Sequence, residues 1–192
     1  MALTDIAAAL ARVNAVLRKR PLAGIVQDPP AVSAWQGGLR VHTKHPCGVM
    51  AVTDMPAELG GSGDQPSPGW LLRASLASCA ATRMAMTAAE AGVVLQTLEV
   101  SAHSRSDARG LLGLPDTDGT PLCAGPGELR LEVRIAAAGV AAERLRALVD
   151  QALALAPVSQ LLASPSAVGL QVEIIPAEAE TAAGATATTP TT

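Results

Sequence analysis

A cysteine in the middle of a long apolar stretch is the residue of this sequence best suited to chemistry. Cys79 lies within SPGWLLRASLASCAATRMAMTAAEAG, residues 67–92, and Arg83 follows it by four positions. If the stretch is helical, residues four apart share a face, so a guanidinium lies one turn from the thiol. The thiolate is the nucleophilic form of cysteine, and a nearby cation favours it. The spacing therefore predicts a thiol site; the alternative is that Cys79 is a small buried hydrophobe.

Local signals indicate that the whole stretch forms one helix. Ser67 is a typical N-cap, Pro68 suits the first helical position, and Gly92 suits the position after the last turn. The predicted helix is about 37 Å long at 1.5 Å per residue. Cys79 lies about three turns from its start, which is too far for the helix dipole to activate the thiol, so Arg83 is the local candidate.

Other positions on this helix are predicted to share the face of the cysteine, because they lie three, four or seven residues from it. They are Leu72, Ser75, Leu76, Thr82, Arg83 and Met86.

The elements around the helix are shorter and alternate between α and β patterns. An amphipathic helix capped by Thr4 is predicted to end near Arg20, with Ile6, Leu10, Val13 and Leu17 as its apolar stripe, packing on its own domain or on a second subunit. Three short strands follow within residues 31–55, with turns at Gly37 and Gly38 and at Pro46 to Gly48. After the long helix come strands in 93–107 and 128–138, a helix in 140–156 that Pro157 interrupts, and a last strand at 168–175.

This order predicts an α+β fold with mostly antiparallel sheets and helices on one sheet face. We predict an N-terminal helix and linker over residues 1–30, one domain over 31–176, and a disordered tail over 177–192. The loop PAELGGSGDQPSP lacks the lysine of a phosphate-binding loop, so a mobile flap or a rigid connector is expected there.

Composition argues against several classes of function. The chain has 192 residues, a net charge of −3, two tryptophans and no tyrosine or phenylalanine, so neither nucleic acid nor an anionic membrane is an expected partner. Arg73, Arg83 and Glu90 interrupt the apolar stretch, which argues against a membrane span. Three cysteines without a CxxC pair favour a reducing cytoplasm. His42, His45 and Cys47 lack an evident fourth ligand, so we expect no metal and no cofactor.

Two segments carry a resemblance to a known family. SPGWLLRASLASCAAT with the strand at 95–101, and ALALAPVSQLL near the end, resemble the OsmC/Ohr superfamily, and the element order agrees over residues 31–175. The resemblance implies an intertwined homodimer with two long central helices, sheets outside them and active sites at the subunit interface. It also implies a thiol peroxidase that reduces organic hydroperoxides in oxidative stress defence.

The resemblance also implies roles for individual residues. It places Cys79 at the peroxide-attacking position, and Arg40 is the best match for the arginine that holds the thiolate, with Arg83 as the local alternative. Gly69 occupies the position of the family's glutamate. Ala156 occupies that of its second, resolving cysteine, before Pro-Val-Ser.

Two functions from different classes therefore stay open. The first is a one-cysteine peroxidase that an external thiol recycles, unless Cys47 or Cys123 comes within the Cα separation of about 4.4–6.8 Å that a disulfide needs. The second is a non-enzymatic protein that binds a small apolar ligand at the dimer interface, with Cys79 inert.

Overall fold

The computed structural model describes residues 3–175, and it has the predicted α+β composition. In chain order the elements are α1 (Leu3–Lys19), β1 (Val32–Trp35), β2 (Val41–Lys44), β3 (Met50–Thr53), α2 (Pro68–Glu90), β4 (Thr97–Arg105), α3 (Ala108–Leu111), β5 (Gly127–Ala136), α4 (Ala142–Leu153) and α5 (Pro157–Ala163). Both sheets are antiparallel, which confirms the predicted fold class.

The first sheet is the predicted meander of β1, β2 and β3. Gly37 and Gly38 both have positive φ in the turn between β1 and β2, a conformation that glycine adopts at little cost. The second sheet pairs β4 with β5 along most of their length, with a bulge between His103 and Arg105.

Helix α2 has the boundaries that its sequence predicts. The Ser67 hydroxyl accepts a hydrogen bond from the Trp70 N–H at 3.3 Å, and Pro68 occupies the first turn. At the other end Gly92 has a φ of 68°, and the Val93 N–H donates to the Ala88 carbonyl at 2.8 Å. Helix α2 packs against α1, α4, α5 and β4, so it is the element on which the fold is assembled.

The core is aliphatic, as the scarcity of aromatic residues requires. It lies where α2 and α4 pack on the second sheet, and its fully or nearly fully buried members are Ala80, Met84, Ala88, Val93, Leu148 and Ala152. Partly buried β4 and β5 residues cover it from the sheet, among them Leu131, Val133 and Ile135 on one face of β5. Alanine at the helix contact lets α2 and α4 approach closely.

The first helix packs on α2 of its own chain, one of the two predicted alternatives. Ile6, Leu10 and Leu17 of its apolar stripe are partly buried, whereas Val13 is 53% exposed. Thr4 lies inside the first turn, because the helix begins at Leu3. Thr4 is therefore not the cap that was predicted.

The prediction of a last strand at 168–175 is wrong for the single chain. Residues 164–175 have no regular secondary structure, and Val168, Leu170 and Ile174 are 95%, 88% and 90% exposed. A strand needs a neighbour to satisfy its backbone hydrogen bonds. Within residues 3–175 no strand pairs with the segment, so its alternating pattern does not produce a strand there. The predicted disordered tail lies outside the described residues.

Candidate thiol site

Cys79 opens onto a cavity on one side of α2. The thiol is free and half-buried, and the cavity measures about 470 Å³. One wall comes from α2 and the other from the connection between α4 and α5; the lining residues are Ser75, Ser78, Cys79, Thr82, Arg83, Met86, Leu155 and Pro157. The thiol is therefore not sealed within aliphatic packing, and a small molecule has room beside it.

The helical period explains why the thiol faces this cavity rather than the core. At about 100° per residue, Ala80, Met84 and Ala88 point roughly 100–180° away from Cys79 around the helix axis. Those three residues anchor α2 in the core with no exposed surface. Ser75, Thr82, Arg83 and Met86 lie on the cavity wall, as the predicted cysteine face required. Leu76, also predicted on that face, is 4% exposed and does not line the cavity, since its position is turned towards the core.

Arg83 shares the cavity with Cys79 and has a single carboxylate partner. Its side chain is 14% exposed, and its Nη2 donates to the Glu90 Oε2 at 2.8 Å. Its Nε is buried and has no hydrogen-bond partner among the described residues. Because Arg83 lines the cavity, an anion there, such as a thiolate or a peroxide oxygen, lies beside its positive charge.

Arg40, by contrast, is engaged in a different cluster and does not line the cavity of Cys79. Its Nη2 and Nε donate to the Asp54 Oδ2 at 3.2 and 3.3 Å, its Nη2 donates to the Ser62 hydroxyl at 2.7 Å, and it also pairs with Asp64. Both carboxylates raise the pKa of Arg40, Asp64 more than Asp54. Two carboxylates thus surround the single positive charge of Arg40, and none of these hydrogen bonds goes to a thiol.

The same cluster holds the loop between β3 and α2. The Ser62 hydroxyl donates to the Asp54 Oδ2 at 2.6 Å, and the Met55 N–H donates to the Asp54 Oδ1 at 2.7 Å. These bonds, followed by the one from Arg40, hold the pKa of Asp54 below its usual range. A Cβ on Gly61 would lie 1.8 Å from the Met55 carbonyl oxygen, so only glycine fits there. The loop is better described as a packed connector than as a flap.

The other predicted ligands and thiols lie elsewhere. His45 and Cys47 contact each other in the β2–β3 turn, His42 lies on β2, and Cys123 lies in the loop before β5; none lines the cavity of Cys79. Among residues 3–175 no group of three or more His, Cys, Asp or Glu side chains could hold a metal ion. Within the same range, no helix combines the length and hydropathy needed to cross a bilayer.

Comparison with known proteins places this architecture in a family. The family model described as OsmC-like protein matches residues 61–171, which is more than half of the chain. The chain belongs to the OsmC-like protein family. No curated protein matches it.

Solved structures of this family share the fold at low identity. The organic hydroperoxide resistance protein OsmC of Legionella pneumophila superposes with a TM-score of 0.53 at 20% identity, covering 73% of this chain and 92% of that one. The OsmC-like protein of Mycoplasma pneumoniae gives 0.60 at 13% identity, with 73% and 91% covered. An organic hydroperoxide resistance protein of Elizabethkingia anophelis gives 0.54 at 20%, with 74% and 92% covered.

The family resemblance places the second cysteine at Ala156 and the glutamate at Gly69, and of these two positions only Ala156 adjoins residues of the cavity. Ala156, in the place of the second cysteine, is fully buried between Leu155 and Pro157, which both line the cavity. Gly69, in the place of the glutamate, lies in the first turn of α2. A Cβ there would meet Ser67 Oγ at 3.8 Å and Arg73 Nη1 at 3.9 Å. Neither contact is tight, so a larger residue would fit, and the glycine is not imposed by crowding.

Sequence reasoning missed some of the cavity. The α2 residues follow from the helical period, but Leu155 and Pro157 lie 76 and 78 positions after Cys79 and come to the site only because α4 and α5 pack on α2. Glu90, the partner of Arg83, lies seven positions further along the helix. Two helical turns of separation is a signal that could have identified it.

Proposed function

We propose that this OsmC-like protein is a one-cysteine thiol peroxidase that reduces organic hydroperoxides at Cys79. The observation that carries the proposal is that a free, half-buried thiol and the guanidinium-bearing Arg83 line the same cavity. The structural neighbours include organic hydroperoxide resistance proteins, which agrees with this choice of substrate class.

The reaction that we propose uses the thiolate of Cys79 as nucleophile. The sulfur attacks the terminal peroxide oxygen, the O–O bond breaks, and the alkoxide takes up a proton and leaves as an alcohol. The cysteine is thereby oxidised to a sulfenic acid. An external thiol then attacks that sulfur and releases water, and a second thiol cleaves the mixed disulfide and restores Cys79.

Arg83 is the cation that we assign to this step. Its positive charge beside the cavity can stabilise the thiolate before attack and the developing negative charge on the leaving oxygen during it. Partial burial strengthens such an interaction, because the charge is less screened than in water. The apolar wall of Met86, Leu155 and Pro157 would accommodate the organic group of the substrate.

Recycling by an external thiol follows from what surrounds the cavity. Ala156 cannot form a disulfide, and neither Cys47 nor Cys123 lines the cavity. A sulfenic acid at Cys79 would therefore have no cysteine of its own cavity to react with. A role in oxidative stress defence and a cytoplasmic location remain predictions.

We also propose the homodimer that the family resemblance implies. The exposed apolar side chains of 168–175 support it, since an alternating segment without a neighbour could pair with a strand edge of a second copy. Truncation after Ala167 should lower the mass measured by light scattering from two chains to one. Truncation after Ile175 is the control and should leave the dimer intact. A monomeric full-length protein would contradict the dimer.

The experiment that tests the peroxidase proposal traps its intermediate. The protein is treated with cumene hydroperoxide and dimedone, and each cysteine peptide is analysed by mass spectrometry. We expect a sulfenic acid adduct at Cys79 in the wild-type protein and in Cys123→Ser, and none at this position in Cys79→Ser. Absence of an adduct at Cys79 in the wild-type protein would contradict the proposal.

The apolar wall of the cavity also supports a second candidate, a non-enzymatic protein that binds a small apolar ligand beside an inert Cys79. In that case an apolar ligand such as cumyl alcohol would bind equally well to the wild-type protein and to Cys79→Ser, and hydroperoxide would not modify the thiol. Calorimetric titration of both proteins, together with the trapping experiment, distinguishes the two candidates.

A further inference from the structure

A second cysteine lies beside a histidine in the turn between β2 and β3, outside the cavity of Cys79. The turn consists of His45, Pro46, Cys47 and Gly48, and it is closed by a hydrogen bond from the Gly48 N–H to the His45 carbonyl at 2.9 Å. Proline fixes the backbone at the second position, and Gly48 has a φ of 91°. The turn is therefore well defined, although all four residues are exposed.

This geometry brings the thiol onto the imidazole. The distance from Cys47 Sγ to His45 Nδ1 is 2.8 Å, and the Cys47 backbone N–H also donates to Nδ1, at 3.1 Å. Because a backbone N–H can only donate, Nδ1 must act as the acceptor in this arrangement. The thiol then acts as the second donor, and the ring carries its own proton on Nε2. His45 is thus placed to take the proton of Cys47.

The chain contains an internal control for this arrangement. Cys123 is also free and exposed, but its sulfur accepts a bond from the Gly125 N–H at 3.4 Å, and it has no hydrogen bond to a histidine among residues 3–175. Two exposed thiols of one protein therefore differ in whether a base touches the sulfur. A thiol paired with a base is the more nucleophilic of two equally accessible ones.

We propose that Cys47 is a second reactive thiol, activated by His45, and that it is a site of S-thiolation by small-molecule disulfides. His45 takes the thiol proton, and the thiolate attacks one sulfur of the disulfide. The S–S bond of the reagent breaks, its second sulfur leaves as a thiolate, and that group recovers the proton from His45. Cys47 is oxidised to a mixed disulfide while half of the reagent is reduced to a thiol. This site is independent of the function proposed for Cys79.

Oxidised glutathione serves as the probe. The full-length protein is incubated with it at neutral pH, and the extent of modification of each cysteine peptide is followed by mass spectrometry over time. We expect Cys47 to react about tenfold or more faster than Cys123, a modest effect for a positioned base. Equal rates at the two exposed thiols would overturn the proposal.

Two histidine variants separate activation from folding. Asparagine at position 45 can still accept the Cys47 N–H through its Oδ1 and maintain the turn, but it is not a base. His45→Asn should therefore reduce the rate at Cys47 to about that at Cys123, without changing Cys123. His42→Asn, a change on the neighbouring strand, should leave both rates as they are. An unchanged Cys47 rate in His45→Asn would overturn the role assigned to the imidazole.

Discussion

The two arginines predicted for the thiol site lie in opposite electrostatic surroundings. Arg83 on α2 has one carboxylate partner, one buried donor without a partner, and a cavity in common with Cys79. Arg40, just before β2, has two carboxylates and a hydroxyl around its guanidinium and does not line that cavity. The Arg83–Glu90 pair has no net charge and one unpaired donor among the described residues, whereas Arg40 with its two carboxylates has a net charge of −1.

The contrast shows that the acceptors around a cation, rather than its residue type, determine what it can still bind. Arg40 stabilises the connector between β3 and α2 through Asp54 and Ser62, which is a structural role. Arg83 lines the cavity, and it is the arginine that we propose for binding an anion there. Four substitutions test this difference, beginning with the one that should change most.

Replacement of Arg83 by methionine should have the largest effect. Methionine keeps much of the side-chain volume but removes the charge, so the rate of sulfenic acid formation at Cys79 should fall about 10- to 100-fold. Arg73→Met is the matched control on the same helix, since Arg73 bonds to Ser104 and does not line the cavity. If Arg83→Met formed sulfenic acid at a rate within twofold of the wild type, Arg83 would not be the arginine that assists Cys79.

Asp54→Asn should weaken the Arg40 cluster and change the pH dependence of stability. The pKa of Asp54 is depressed in the folded protein, chiefly by the Ser62 hydroxyl. Its contribution to stability is therefore present above the unfolded pKa and is lost as the pH falls below about 4, through the folded value. The variant should unfold at a urea concentration lower by about 0.5 M at pH 7.

At pH 3, which is below the unfolded pKa of about 4, the variant and the wild type should differ less, because the unfolded wild-type carboxyl is then protonated and its resistance to protonation in the folded state lowers the stability. Urea unfolding at both pH values measures this, with exposed Asp28→Asn in the linker as a control. A difference that is the same at pH 7 and pH 3 would mean that the ionised carboxylate contributes nothing specific.

Glu90→Gln should have a smaller effect, in the opposite direction. Glutamine can still accept the bond from Arg83 but no longer neutralises its charge, so Cys79 should react with iodoacetamide about threefold faster, as expected for one partly screened charge. Glu143→Gln on the exposed side of α4 is the control. A slower reaction would indicate that Glu90 acts by positioning the guanidinium, which would sharpen the role given to Arg83.

Arg40→Met should have the smallest effect on the thiol, below about twofold, because Arg40 does not line the cavity and its Nε and Nη2 are bonded to Asp54, Ser62 and Asp64. The rate of alkylation of Cys79 is the measurement, made under conditions where the variant is folded by circular dichroism. If this variant lost as much reactivity at Cys79 as Arg83→Met, both arginines would influence the thiol, and the distinction between a structural Arg40 and a site Arg83 would not hold.

Features that depend on neighbouring residues were predictable from the chain. Ser67, Pro68 and Gly92 predicted the limits of α2, and Gly37 and Gly38 the first hairpin. Most of the cavity wall contributed by α2 followed from the spacing to Cys79. These features act over one or two turns, so no information about distant residues is needed.

Features that depend on distant residues were not predictable from the chain. The assignment of Leu76 to the cysteine face was wrong, because the direction of the core around α2 is set by the packing of the surrounding elements. The strand predicted at 168–175 has the right alternation but lacks a neighbour.

The acids around Arg40 show the same limit at the candidate site. They lie 14 and 24 positions further along the chain, and only the folding of the connector brings them to the guanidinium. Residue types and spacing thus predicted the helix, its thiol and a cation one turn away, since caps and helical period are local. The choice between two arginines, and the opposite wall of the cavity, depended on tertiary packing, because ion pairs and cavities form between residues that the chain order leaves far apart.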